Sequence, residues 1–464
     1  MITFCRRKIC CLWHLLLFIY AAPLFAQQKN YHLPQLIEAA KDHLPVLMQK
    51  RALLNGARAA VTDTRHSFLP QLKISDQVNL GSDNSIAGSY LPIGITPSSS
   101  AGVRGDNIYQ PATGNIGALY GEYELINFGL NSARLKTAEA IADLQQADLD
   151  RELYLVQASV ARTYFNVLKN QYKLDADRQN VNRYDSIFKV IRALTASGIK
   201  PGADSSLARA ELSKATITYN QTLGSINQLK DQLSYLTGVP PQSFFLDSLV
   251  IGFINNKPAP INLPEDTVSN PLIDIYVKQN NIYVSNQTVI KKSYLPRILL
   301  AASGWTRGSS IQYNDDYKAL SSGLGYQRFN YMAGIAVTYN LFSGLYKKDK
   351  LAINQFQVQA GNYELEQQKL AISLAAAQAA HALQVNEANL AELPIQLKSA
   401  ADTYRQKAAQ YKAGIISLID LTNASFVLYR SQTDYIQTIS DWWLAQLDKA
   451  VAGGSLIQFI QLIK

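Results

Sequence analysis

The 464-residue chain is long enough to bury a core of its own without disulfides or a structural metal. Its apolar share is 47% and its charged share 17%, below the ~25% charge of typical soluble domains. All three cysteines (Cys5, Cys10, Cys11) lie near the start of the chain. If that segment is removed no thiol remains, which excludes thiol catalysis, iron–sulfur clusters, cysteine-held zinc and a disulfide scaffold.

That first segment reads as an export signal over residues 1–26. Arg6, Arg7 and Lys8 form a basic head, Cys10 to Phe25 is mostly apolar, and Ala26–Gln27 is a plausible cleavage point. Removing it takes the formal charge from +9 to +6. No later apolar run is long enough for a transmembrane helix, so entry into a membrane would have to use strands.

The remainder is written twice. The first copy covers 31–239, a Pro- and Asn-rich connector covers 240–270, the second copy covers 271–455, and 456–464 is a C-terminal tail. Within the first copy, apolar spacing predicts a helix over 33–67 and period-two alternation predicts a strand over 69–80. A Gly- and Ser-rich loop follows over 81–114, then a second strand over 115–126. Residues 131–197 contain neither Gly nor Pro and predict one helix of about 100 Å at ~1.5 Å per residue. A return helix over 204–236 stops at Gly238.

The second copy repeats this order: helix over 272–294, strands over 295–307 and 330–341 around a loop, a long helix over 345–413 interrupted at Gly361 and Pro394, and a return helix over 417–451. Four landmarks recur at a spacing of 216: Leu125-Ile-Asn127-Phe-Gly129 with Leu341-Phe-Ser343-Gly344, Gly198-Ile199 with Gly414-Ile415, Asp204 with Asp420, and Gly238 with Gly454. The Leu69-Pro70 and Leu295-Pro296 pairs recur at 226, the difference lying in a longer first loop.

Helices of this length cannot bury their apolar stripe on a small globular core, so they predict coiled-coil packing. Each strand has the length of a tilted membrane strand, yet one chain supplies only four and a closed bacterial barrel needs about eight or more. An open edge cannot face lipid. Either the strands form soluble hairpins packed on helices, or three chains pool twelve strands into one barrel beneath a tube of helices.

The paired Leu-Pro strand openings, the Leu-Ile-Asn-Phe-Gly and Leu-Phe-Ser-Gly junctions, and the Gly-Ile…Asp turns together resemble the TolC-type outer-membrane factor family across about residues 31–455. The resemblance implies a homotrimer that is mainly α, with a long α-helical barrel and four strands per chain pooled into a 12-stranded membrane barrel. It implies a passive exit duct of a tripartite efflux or type I secretion system, located in the outer membrane with a long periplasmic extension. Its implied partners are a periplasmic adaptor (membrane fusion) protein, an inner-membrane pump of the RND or ABC type, and outer-membrane lipid.

By position, Gly198, Ile199, Asp204, Gly414 and Ile415 would form the periplasmic tip turns that contact the adaptor. Asp420, Asn423 and Tyr411 would lie at the periplasmic aperture, where Asp420 matches an acid that symmetry repeats into a ring. Asn423 stands where the family has a further acid, and Ile416 where it often has Arg. Asp204 and Asp420 also read as N-caps of the return helices, a role compatible with lining a pore.

Other chemistry finds little support. His32, His43, His66 and His381 are scattered without metal-ligand spacing, and no phosphate loop, HExxH or Gly-x-Ser-x-Gly occurs, so no enzyme, cofactor or metal is expected. The basic residues are interspersed with acids, and export argues against nucleic acid as a partner. Lys347-Lys348-Asp349-Lys350 reads as a solvated cluster after the last strand. The alternative function is a periplasmic coiled-coil scaffold without a pore.

Overall fold

The computed structural model describes residues 30–82, 84–86, 102–243, 245–246 and 270–463. The export segment and most of the connector fall outside this range. The chain divides into two compact units, each drawing on both halves of the sequence: residues 1–52, 146–275 and 365–464 in one, and 53–145 and 276–364 in the other. No described helix is long and apolar enough to cross a membrane.

The elements, in chain order, are α1 (Leu33–His43), α2 (Pro45–His66), β1 (Gln71–Gly81), β2 (Ala112–Ile126), α3 (Leu130–Ala196), α4 (Gly202–Thr237), α5 (Pro271–Ser293), β3 (Arg297–Ser309), β4 (Arg328–Thr338), α6 (Ser343–Lys412), α7 (Leu418–Ala452) and α8 (Leu456–Leu462). The single helix expected over 33–67 is two, because Leu44 precedes Pro45 and adopts an extended backbone (φ −72°, ψ 122°). α8 lies in what the sequence suggested was only a tail. Conversely, α6 is one 70-residue helix that runs through both expected breaks. Pro394 is accommodated with Leu390 and Leu393 buried beside it, so packing outweighs the backbone hydrogen bond the proline cannot make. Gly361 is no break either: a Cβ there would stand 2.7 Å from Oδ1 of Asn280, so the glycine lets α5 and α6 approach closely.

In the strand-bearing unit, β1, β2, β3 and β4 form one antiparallel sheet in that order. Each outer strand starts or ends a few residues from a helix, and both Leu-Pro pairs sit immediately before β1 and β3. The sheet is therefore a single surface, and separate hairpins packed on helices are not what forms. Among the described residues, the outer edges of β1 and β4 have no partner strand.

Residues directly opposite each other in an antiparallel ladder point to the same side, so the register sorts the two faces. On one lie Leu72, Ile74, Leu119, Leu300, Phe329 and Tyr331, with Asp76 as its only charged residue. These side chains are open to the surroundings, Ile74 at 86% and Tyr331 at 91% exposure. The hydroxyl of Tyr326 lies across Gly117 and is hydrogen-bonded with Asp76, which gives that lone acid a partner. The other face carries Lys73, Glu122, Glu124, Arg297, Arg307 and Arg328. A bulge at Leu125 shifts the register of β2 against β3 before their last pair, Ile126 with Ile298.

In the helical unit, the main core gathers α1, α3, α7 and α8. Phe165 of α3 stacks on Trp443 (centroids 5.6 Å apart), which meets Trp442 edge-on at 5.0 Å, and Phe459 of α8 closes the cluster at 6.2 Å from Phe165. Asn270 is fully buried: its side chain donates to the Ala452 carbonyl (2.9 Å) and accepts from Leu272 N–H (2.9 Å), starting α5.

Candidate functional site: the helix-turn tips

Two turns join the long helices to the return helices, α3 to α4 and α6 to α7. Each is a Schellman closure. At the first, Gly198 N–H donates to the Thr195 carbonyl (3.0 Å) and Ile199 N–H to that of Leu194 (2.9 Å). At the second, Gly414 N–H donates to the Tyr411 carbonyl and Ile415 N–H to that of Gln410, both at 3.0 Å. Gly198 (φ 75°) and Gly414 (φ 73°) take the left-handed conformation that this closure needs and that glycine adopts without Cβ strain. The residue after each glycine is apolar and exposed, Ile199 at 66% and Ile415 at 72%.

Beyond the turns the copies differ, and neither aspartate is an N-cap. At the second tip the cap is Ser417: its hydroxyl accepts from Asp420 N–H (3.2 Å), while the Asp420 carboxylate accepts from Ser417 N–H (3.1 Å) and Ser417 Oγ (2.6 Å). This reciprocal arrangement is a capping box. The Ser417 hydroxyl, then its backbone N–H, hold the Asp420 carboxyl below the usual carboxylate range. At the first tip Pro201 occupies the position of Ser417 and supplies no side-chain cap, so Asp204 has no reciprocal partner. Asp420 and Asn423 are exposed, whereas Asp204 is half-buried.

A second apolar cluster holds the tips together. Tyr184, Ile187 and Ile191 of α3, Ala208 and Ala215 of α4, and Leu418 and Leu421 of α7 surround Tyr411 of α6. Tyr411 is thus buried (7% exposed) inside one chain, with Lys200 Nζ of the other turn 5.7 Å from its ring centre. Burial, and then the charge of Asp204, push the Tyr411 hydroxyl above its ordinary value. Among the described residues that hydroxyl has no hydrogen-bond partner.

Further along the same bundle is a polar network that sequence reasoning missed. The side chain of Asp177 is wholly buried and accepts from Tyr429 OH (2.6 Å) and Lys173 Nζ (2.9 Å), and Lys173 also donates to Thr222 Oγ1 (2.6 Å). Arg183 donates to Asn180 and Gln432 at 3.1 and 3.2 Å. Asp177 and Tyr429 are 252 residues apart, so no local signal joins them. Ser417-x-x-Asp420, by contrast, was readable as a capping-box pattern. Among the described residues no group of three or more His, Cys, Asp or Glu could hold a metal ion.

Residues 36–239 match the model of a family described as outer membrane efflux protein. No curated protein matches the sequence. Solved structures resemble it throughout. CusC, described in terms of folding and transmembrane channel formation, superposes with a TM-score of 0.75 at 15% identity, covering 91% of this chain and 92% of its own. The CmeC outer membrane channel of Campylobacter jejuni gives 0.72 at 14% identity, covering 93% and 89%. The outer membrane protein VceC of Vibrio cholerae gives 0.70 at 16%, covering 91% and 96%. Residues 36–239 thus carry the sequence match to the outer membrane efflux protein family, and the chain shares its fold throughout with these outer-membrane channel structures.

Proposed function

We propose that the protein is an outer-membrane exit channel: three copies pool their sheets into a 12-stranded barrel whose apolar face meets lipid and whose polar face lines the lumen. The observation that carries this reading is the four-stranded sheet itself, with two unpaired edges among the described residues and one apolar face open along its length. Edge N–H and C=O groups left in hydrocarbon would each cost several kcal/mol. Pairing β4 of one copy with β1 of the next satisfies all of them. The hairpin-loop end of the sheet then faces outward, and the helices extend into the periplasm.

The duct works with a periplasmic adaptor and an inner-membrane pump, of the RND or ABC type. The exposed Ile199 and Ile415 on their glycine turns suit an apolar adaptor contact, and Asp204, Gly198 and Gly414 shape those turns. Three copies of Asp420, facing one another about the axis with Asn423 beside them, favour cations at the aperture. Tyr411 supports that aperture from inside each chain. A pore-free periplasmic scaffold accounts for the helices but leaves an apolar sheet face bare to water.

The test is a heat-labile trimer in outer-membrane fractions that conducts single-channel current in a planar bilayer. Asp420→Ala should weaken cation selectivity, and unchanged selectivity would remove the ring. A monomeric, soluble, non-conducting product would favour the scaffold.

A further inference from the structure

The polar face of the sheet is charged very unevenly along its length. Near the strand ends that join helices, Lys73, Glu122, Glu124 and Arg297 mix signs, with Arg297 Nε 3.8 Å from Glu124. Near the hairpin-loop end one row of the ladder reads Gln77, Ile116, Arg307, Arg328, so the two arginines stand directly opposite each other. Like charges in that relation destabilise a sheet, and both side chains are exposed.

No acid on this face offsets the pair. The next row is Ser75, Ala118, Trp305 and Asn330, and the one after contributes Lys73. The first carboxylate, Glu122, is six residues along β2 from Ile116, roughly 20 Å at ~3.3 Å per residue. Among the described acids of the loops beyond, Asp315 is held by Arg104 and Asp316 by Lys318, each at 2.6 Å, and Asp106 is exposed in the loop before β2. Among the described residues, the one hydrogen bond found for either guanidinium is from Arg328 Nη1 to the Gln327 carbonyl (2.8 Å), which leaves most of its donors open.

We propose that Arg307 and Arg328 form an oxyanion site on the lumen wall near the outer mouth, one per chain, that takes a phosphate or carboxylate group of a solute leaving the duct. This rests on the channel reading. Two planar guanidinium forks side by side match an oxyanion bidentately, as an ammonium cannot, and a bound anion removes the repulsion between them. The lumen would then favour cations at the Asp420 aperture and hold anions at its far end.

The experiment uses the purified trimer in a planar bilayer in chloride electrolyte, with inorganic phosphate added to one side at a time. Phosphate should reduce the current at lower concentration from the hairpin-loop side than from the helical side. The double variant Arg307→Gln/Arg328→Gln should raise that half-blocking concentration at least about tenfold, and Arg328→Lys should fall between. A half-blocking concentration unmoved by the double variant overturns the site. A folded trimer that passes no current overturns the channel reading instead. The site is then decided by phosphorus NMR: phosphate line broadening by the trimer that the double variant abolishes supports it, and broadening that persists refutes it.

Discussion

Removing the charge partner of Asp177 should cost more than removing any surface ion pair of this protein. The Asp177 side chain is 0% exposed and Lys173 is its ion-pair partner, at 2.9 Å. Lys173→Met leaves a buried carboxylate with the Tyr429 hydroxyl alone, a change worth about 3–5 kcal/mol when one partner of a buried pair is lost. Lys173 keeps 31% of its side-chain surface, so solvent screens part of the attraction and about 3 kcal/mol is expected. Tyr429→Phe removes a 2.6 Å charge-assisted hydrogen bond, worth about 1.5–3 kcal/mol. Because both act on one carboxylate, the double variant should depart from additivity by at least about 0.5 kcal/mol. Asp177→Asn in the Lys173→Met background should recover part of the loss by deleting the stranded charge. The assay is guanidinium unfolding followed by helical circular dichroism, at one protein concentration because oligomerisation is linked to stability. Single variants that each cost under about 0.5 kcal/mol, the usual range for surface substitutions, would refute the reasoning.

Phe459→Ala should cost about 3–5 kcal/mol, since its ring is fully buried against Phe165; limited proteolysis should then release the chain after α7. Gly414→Ala should cost about 1 kcal/mol through its φ of 73° alone, because nothing lies within 4 Å of the new Cβ. Gly238→Ala should cost more, because its Cβ would stand 2.5 Å from His43 Nδ1; thermal melts of the two variants check the order. Ser417→Ala should cost about 1 kcal/mol and let the Asp420 carboxyl, now held low by that hydroxyl, rise in a carboxylate titration followed by NMR. Burial raises the hydroxyls of Tyr154, Tyr429, Tyr184 and Tyr404. The folded state therefore keeps protons that the unfolded chain loses above about pH 10, so stability should fall as pH rises through that value. Unfolding midpoints that stay flat there would contradict this.

The strands and turns were legible because their signals are local. Leu-Pro stands directly before β1 and β3, and a Gly-Ile pair closes each long helix with the hydrogen bonds such a pair permits. The sheet's faces followed from period-two alternation, although its joining into one surface needed the β2–β3 ladder between halves 170 or more residues apart. Gly361 and Pro394 misled because helix propensity was outweighed by packing around α6. The N-cap expected at Asp420 falls instead to Ser417, three residues earlier, with Asp420 as its reciprocal partner. The Asp177 network was invisible, since each member is an ordinary polar residue until three helices bring them together.

The long helices also carry a phase difference. α3 and α6 start 213 residues apart but end 216 apart, so α6 is longer by three residues. At their starts the two helices align at the 213 offset, where Asn127 and Asn340 play the same part. The side-chain carbonyl of each accepts from the N–H two residues on, at 3.0 and 2.9 Å. Asn340, not Ser343, is thus the structural echo of Asn127, because the serine has no side-chain carbonyl. At 3.6 residues per turn, three residues rotate a helix face by about 300° and advance it by ~4.5 Å. Counted from the tip, a residue of α3 shares its bearing with the residue 216 later. Counted from the sheet, it shares its bearing with the residue 213 later, about 60° away around the axis. The duplication therefore keeps two registers, and a substitution copied from one half to the other must use the offset of the end it lies nearer.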